Sequence, residues 1–108
     1  MTNNDKVKEL TNGEFDGFIK EGNVLIDFFA DWCMPCLMMA PVVDELSDKF
    51  KGKIKFGKVD VSDNQEISKK FDVLSIPTFI LFKNGEIADQ FKGALSIEEF
   101  EERLKKHI

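Results

Sequence analysis

Trp32-Cys33-Met34-Pro35-Cys36 holds both cysteines of this 108-residue chain, with two residues between them. The apolar run Val24-Leu25-Ile26-Asp27-Phe28-Phe29-Ala30 leads in, and a stretch that reads as a helix, Leu37 to Phe50, leads out. The motif therefore sits where a buried strand turns into a helix N-terminus. Backbone N–H groups of a first helical turn have no partner inside the helix, and with the helix dipole they favour an anion. A cysteine placed there has its thiol pKa lowered, and the thiolate is the nucleophile. That cysteine is Cys33.

The spacing points the same way. Along a helix, three residues rise about 4.5 Å through nearly a full turn, so the two Cα atoms lie roughly 5 Å apart. A disulfide asks for about 4.4–6.8 Å, so the pair can close and reopen with little backbone movement. Pro35 lies between the cysteines in the first turn, where its missing N–H costs nothing and its fixed φ suits a helix. The expected chemistry is exchange. Cys33, exposed at the helix start, attacks a substrate disulfide, and the more shielded Cys36 then attacks Cys33 and releases the reduced substrate.

Other uses of two cysteines fit less well. A structural bridge closing so short a loop constrains the unfolded chain least. A closed zinc site needs four ligands, and the chain has no second CxxC and a single histidine, His107. No metal or other cofactor is expected. CxxC beside a βαβ pattern is a redox signature.

The rest of the composition is that of a one-domain protein spanning residues 1–108. The chain is 43% hydrophobic and 32% charged, with a formal net charge of −5, which argues against nucleic-acid binding. Its eleven phenylalanines suit a core better than a stacking platform. The polar opening Met1 to Lys6 lacks the apolar segment of a signal peptide. No run approaches the ~18 apolar residues of a membrane span. The expectation is a cytoplasmic monomer that binds no membrane, in a compartment where structural disulfides are rare.

Along the chain, Val7 to Leu10 reads as a first strand. Thr11-Asn12-Gly13-Glu14 is a capping box that opens a helix to about Glu21, burying Phe15, Phe18 and Ile19. Val24 to Phe29 reads as a strand buried on both faces. Pro41 falls inside the next helix, where a kink near Met38 is expected. Lys53 to Val59 alternates as a half-buried strand. Ser62-Asp63-Asn64-Gln65 reads as a second capping box, opening a short helix to about Phe71. Thr78 to Phe82 and Glu86 to Phe91 flank Asn84-Gly85, a strong hairpin signal. Gly93-Ala94 is a turn, and Ser96-Ile97-Glu98-Glu99 caps a last helix with Phe100 and Leu104 inward. Parallel strands need helical crossovers, and the hairpin adds antiparallel ones. The expected fold class is α/β, with helices on both faces of one sheet.

The chain resembles the thioredoxin family over essentially its whole length. The residues that carry the resemblance are Asp27 to Cys36, Ala40-Pro41, Lys58-Val59-Asp60, Ser75-Ile76-Pro77-Thr78, Lys83-Asn84-Gly85-Glu86 and Lys92-Gly93-Ala94. The resemblance implies the thioredoxin fold, a five-stranded mixed sheet in order 1-3-2-4-5 with four helices. It implies reduction of protein disulfides, with a flavin-dependent thioredoxin reductase restoring the dithiol. It implies that Asp27 is the buried carboxylate beneath Cys36, taking its proton, and that Lys58 is the lysine beside it. A carboxylate inside an apolar strand is expected to shift toward its neutral form in any case. Ile76-Pro77 matches a cis-proline loop facing the cysteines, whose backbone pairs with substrate as an added strand. Trp32, Met34, Pro35, Ile76, Pro77, Gly93 and Ala94 would form the substrate-binding surface. Met34 stands where most members have glycine, and Leu37 where a lysine is common. The alternatives are a redox-regulated docking module on the same fold and a glutaredoxin-like or isomerase role.

Overall fold

The computed structural model describes residues 7–108, so the polar stretch Met1 to Lys6 lies outside the described residues. The chain runs β1 (Lys8–Glu9), α1 (Asn12–Ile19), β2 (Asn23–Phe29), α2 (Met34–Lys49), β3 (Lys55–Asp60), α3 (Gln65–Lys70), β4 (Thr78–Lys83), β5 (Glu86–Lys92) and α4 (Ile97–Lys105). The strands form one sheet in the order β1-β3-β2-β4-β5. β1 and β2 run parallel to β3, while β4 runs antiparallel to both β2 and β5. The topology is the expected one.

Local chemistry explains most boundaries. At α1, the Glu14 carboxylate reaches back to accept from Thr11 N–H at 3.1 Å. At α4, Ser96 N–H donates to Glu99 Oε1 and Glu99 N–H donates to Ser96 Oγ, both at 3.1 Å, completing a capping box. The hairpin turns on Asn84 and Gly85, with φ of 51° and 86°. Positive φ at both central residues matches the twist of the flanking strands. Asn84 also accepts from Gly22 N–H at 2.8 Å through Oδ1, which fastens this turn to the loop between α1 and β2. α2 continues through Pro41, whose ring leaves the Leu37 carbonyl without its usual donor.

Five expectations need correction. α3 starts at Gln65 with Asn64 as its N-cap, so Ser62 caps nothing. Asn64 Nδ2 instead donates to the Asp60 carbonyl at 3.0 Å, and the Asp60 side chain accepts from Ser62 N–H. β3 does not alternate. From Phe56 to Asp60 every residue is buried, because β1 and β2 flank it and helices cover both faces. Phe18 is only partly buried, its ring lying 4.2 Å beneath the Lys55 ammonium. α1 ends at Ile19 and β1 is two residues long, although Val7 and Leu10 beside it are buried.

The sheet divides the core in two. Leu25 joins Met39, Val43, Leu46, Phe79, Phe100 and Leu104 on the face covered by α2 and α4. Val24, Ile26 and Phe28 join Phe15, Ile19 and Ile67 on the face covered by α1 and α3. Strand side chains alternate between faces, so Asp27 and Phe29 share the α2 face with Leu25. All phenylalanines but Phe18 and Phe71 are buried. Phe79, Phe91 and Phe100 pack edge-on or tilted, with centroids 4.7–5.6 Å apart. Gly57 of β3 is closely packed: a Cβ there would lie 2.8 Å from the Phe18 ring and 3.0 Å from Leu10, so those side chains would have to shift to admit one.

Candidate active site

β2 delivers the chain to the top of the sheet, where Ala30 accepts from Cys33 N–H at 3.2 Å. Cys33 is the N-cap of α2, in extended conformation (φ −92°, ψ 108°). Its sulfur accepts from Cys36 N–H at 3.2 Å, the orphan donor of the first turn. Cys33 and Cys36 form a disulfide with Cα atoms 5.2 Å apart, the separation expected from helical rise. Exposure does not distinguish the two, as each is 5% accessible. The expected difference is absent here because the sulfurs are bonded to each other and packed against Phe29, Ala30, Val61 and Ile76. Hydrogen bonding does distinguish them: among the described residues a helix N–H, that of Cys36, reaches the Cys33 sulfur and none is seen on the Cys36 sulfur.

Two distant segments close over the sulfurs. The Ile76–Pro77 bond is cis, and the Ile76 carbonyl oxygen lies 3.8 Å from Cys33 Sγ. Gly93, with φ of 87°, donates its N–H to the Pro77 carbonyl at 2.9 Å, which brings the Gly93-Ala94 turn to the same place. Trp32 and Met34, next to the cysteines in the chain, stand in solvent, and Leu37, Met38 and Leu74 are exposed as well. Pro35 and Ala94 are exposed and Pro77 is buried.

Asp27 is buried on the α2 face, paired in register with Lys58 across the β2–β3 ladder. Its Oδ1 accepts no hydrogen bond from any described residue. Burial raises its pKa from 3.8 to about 7, and the Lys58 charge opposes the rise without cancelling it. Lys58 is also buried, with its ammonium 5.4 Å from the Phe29 ring centre. Asp27 is thus a carboxyl able to accept or give a proton near neutrality.

Sequence reasoning missed several members of this surface. Ser62, read as a helix cap, accepts from Trp32 Nε1–H at 3.3 Å. Met38 lies four residues after Met34 on one helix, and that spacing was the available signal. Among the described residues no three histidine, cysteine or acidic side chains converge as metal ligands. A cleft of about 740 Å³ is lined by Asn23, Lys53 and Phe56, at the end of the sheet remote from the disulfide. The cysteines instead lie on a surface, which suits a macromolecular substrate.

A thioredoxin family model matches residues 6–106. The chain belongs to the thioredoxin family. It is 42% identical to the thioredoxin of Staphylococcus saprophyticus, over 94% of this chain and 98% of that protein. With the same coverage it is 43% identical to the thioredoxin of Staphylococcus haemolyticus and 40% identical to that of Staphylococcus aureus. Thioredoxin membership and the bonded Cys33–Cys36 pair identify a thiol–disulfide oxidoreductase that acts on protein disulfides. Among the described residues no helix is long and apolar enough to cross a membrane.

Proposed function

We propose that Cys33 is the attacking thiolate, Cys36 the resolving thiol and Asp27 the acceptor of its proton. Cys33 attacks one sulfur of a substrate disulfide, and a mixed disulfide forms as the other substrate sulfur leaves as a thiolate. Cys36 gives its proton to Asp27 and attacks Cys33, so the second substrate thiolate leaves and the Cys33–Cys36 bond closes. The substrate gains the two electrons that the cysteine pair loses. A flavin-dependent reductase then returns two electrons to the pair, in the reducing cytoplasm where a dithiol persists.

The observation that carries this reading is the Cys36 helix N–H aimed at the Cys33 sulfur, which stabilises negative charge there. The Lys58 charge biases Asp27 toward its ionised form. Trp32, Met34 and Pro35 supply apolar contact, while Ile76, Pro77, Gly93 and Ala94 present backbone to an extended substrate segment. The test is a pair of variants exposed to a protein disulfide. Cys36→Ser should accumulate a covalent mixed disulfide on non-reducing gels, and Cys33→Ser should accumulate none. The opposite pattern overturns the assignment.

A further inference from the structure

We propose that Met34 and Met38 are sites of reversible oxidation by hydroperoxides, and that their oxidation weakens docking of protein disulfides. The effect on docking rests on the substrate surface proposed above. Met34 is 67% and Met38 71% exposed, whereas Met39 is 3% exposed. Met34 and Met38 stand four residues apart on α2 and so share one face, one turn apart. Cys36, Met39, Val43 and Leu46 form the opposite, buried face. Two thioethers on the helix that begins at the redox disulfide therefore stand in open solvent, and the third methionine of the helix is shielded.

The state of the cysteines decides which sulfur an oxidant meets. Peroxide attacks a cysteine as its thiolate. In the disulfide form neither cysteine has a thiolate, and both are 5% exposed. The open sulfurs of this surface are then the two thioethers. The thioether lone pair attacks the terminal peroxide oxygen, the O–O bond breaks and an S–O bond forms. Methionine loses two electrons and becomes the sulfoxide. The hydroperoxide gains them and leaves as an alcohol, or as water from hydrogen peroxide, carrying the transferred proton. In the dithiol form the Cys33 thiolate competes for the same peroxide. Sulfoxide thus accumulates when the supply of reducing equivalents has run out.

The consequence is physical. A sulfoxide is polar and chiral, and it places a strong acceptor where an apolar substrate side chain would pack. Covering that oxygen without a donor costs binding. Enzymatic sulfoxide reduction restores the thioether and the surface with it.

The experiment treats the disulfide form with hydrogen peroxide and maps the product by peptide mass. One added oxygen is expected on each of Met34 and Met38, with Met39 spared. After dithiothreitol has restored the dithiol, KM for a protein disulfide should rise about tenfold. Its kcat, and the rate with the small disulfide cystine, should not change. In the double variant Met34→Leu/Met38→Leu, peroxide should leave KM at that variant's own untreated value. Oxidation of Met39 as fast as Met34 and Met38 overturns the proposal. So does an unmoved KM in the sulfoxide protein, or an equal rise in the double variant. A failure of the untreated parent to reduce the protein disulfide would strike the underlying functional reading instead.

Discussion

Burial of Asp27 raises its pKa from 3.8 to about 7, so the folded state holds a proton that the unfolded chain releases. Between those two values stability falls as pH rises, and above the folded pKa the whole penalty remains. The difference corresponds to about 4 kcal/mol. Asp27→Asn removes the charge and keeps the shape, although its amide still lacks a partner, which offsets part of the gain. At pH near 8 the variant should be more stable than the parent, on the order of 2 kcal/mol. The advantage should vanish below pH about 4, where both forms are neutral. Urea unfolding across pH checks this, and a variant less stable than the parent at high pH would make Asp27 a compensated structural carboxylate. The same substitution should slow resolution of the mixed disulfide, because Cys36 loses its proton acceptor.

Ser62 and Ser96 begin the same four-residue pattern, and the structure uses them differently. Ser96 accepts the Glu99 N–H and satisfies an orphan donor of α4. Ser62 precedes α3 by two residues too many and holds the Trp32 indole instead. Ser96→Ala should therefore cost about 1 kcal/mol. Ser62→Ala should cost under about 0.5 kcal/mol, as an exposed neutral hydrogen bond. Its backbone bond to Asp60 survives the change. The Ser62 variant should instead alter Trp32 fluorescence. Denaturant midpoints and emission spectra of the two variants separate these roles, and equal losses of stability would restore Ser62 as a cap.

At the level of the molecule, β2 binds the two half-cores into one. Its side chains alternate between the α2–α4 cluster and the α1–α3 cluster. Phe28 is fully buried in the second of these, 6.3 Å from the Phe15 ring centre. Phe28→Ala should cost about 3–5 kcal/mol, a large share of the roughly 5–15 kcal/mol typical of a domain. Because the strand is shared, the variant should still unfold in a single transition. Far-ultraviolet circular dichroism and Trp32 fluorescence should give the same midpoint. Separate midpoints would mean that the two faces unfold independently.

The strand-to-helix junction at Cys33, the Cα separation of the cysteines, the caps at Thr11 and Ser96 and the Asn84-Gly85 turn were all legible in the sequence. Each is decided by backbone groups and side chains within about four residues of one another, where hydrogen bonding and helical rise leave little choice. With the family resemblance, these local signals also carried the strand order. Other properties belong to tertiary structure alone. Lys58 is buried although its strand reads as alternating, because β1 and β2 flank β3 and helices cover both of its faces. Ser62 serves Trp32, thirty positions away in the chain. Ile76 reaches the disulfide from forty-three positions away, its carbonyl oxygen 3.8 Å from Cys33 Sγ. Cys33 is as shielded as Cys36 because Ile76 and Val61 arrive from separate segments. Burial depends on every element that packs against a residue, and a pattern confined to one segment carries only that segment's share of it.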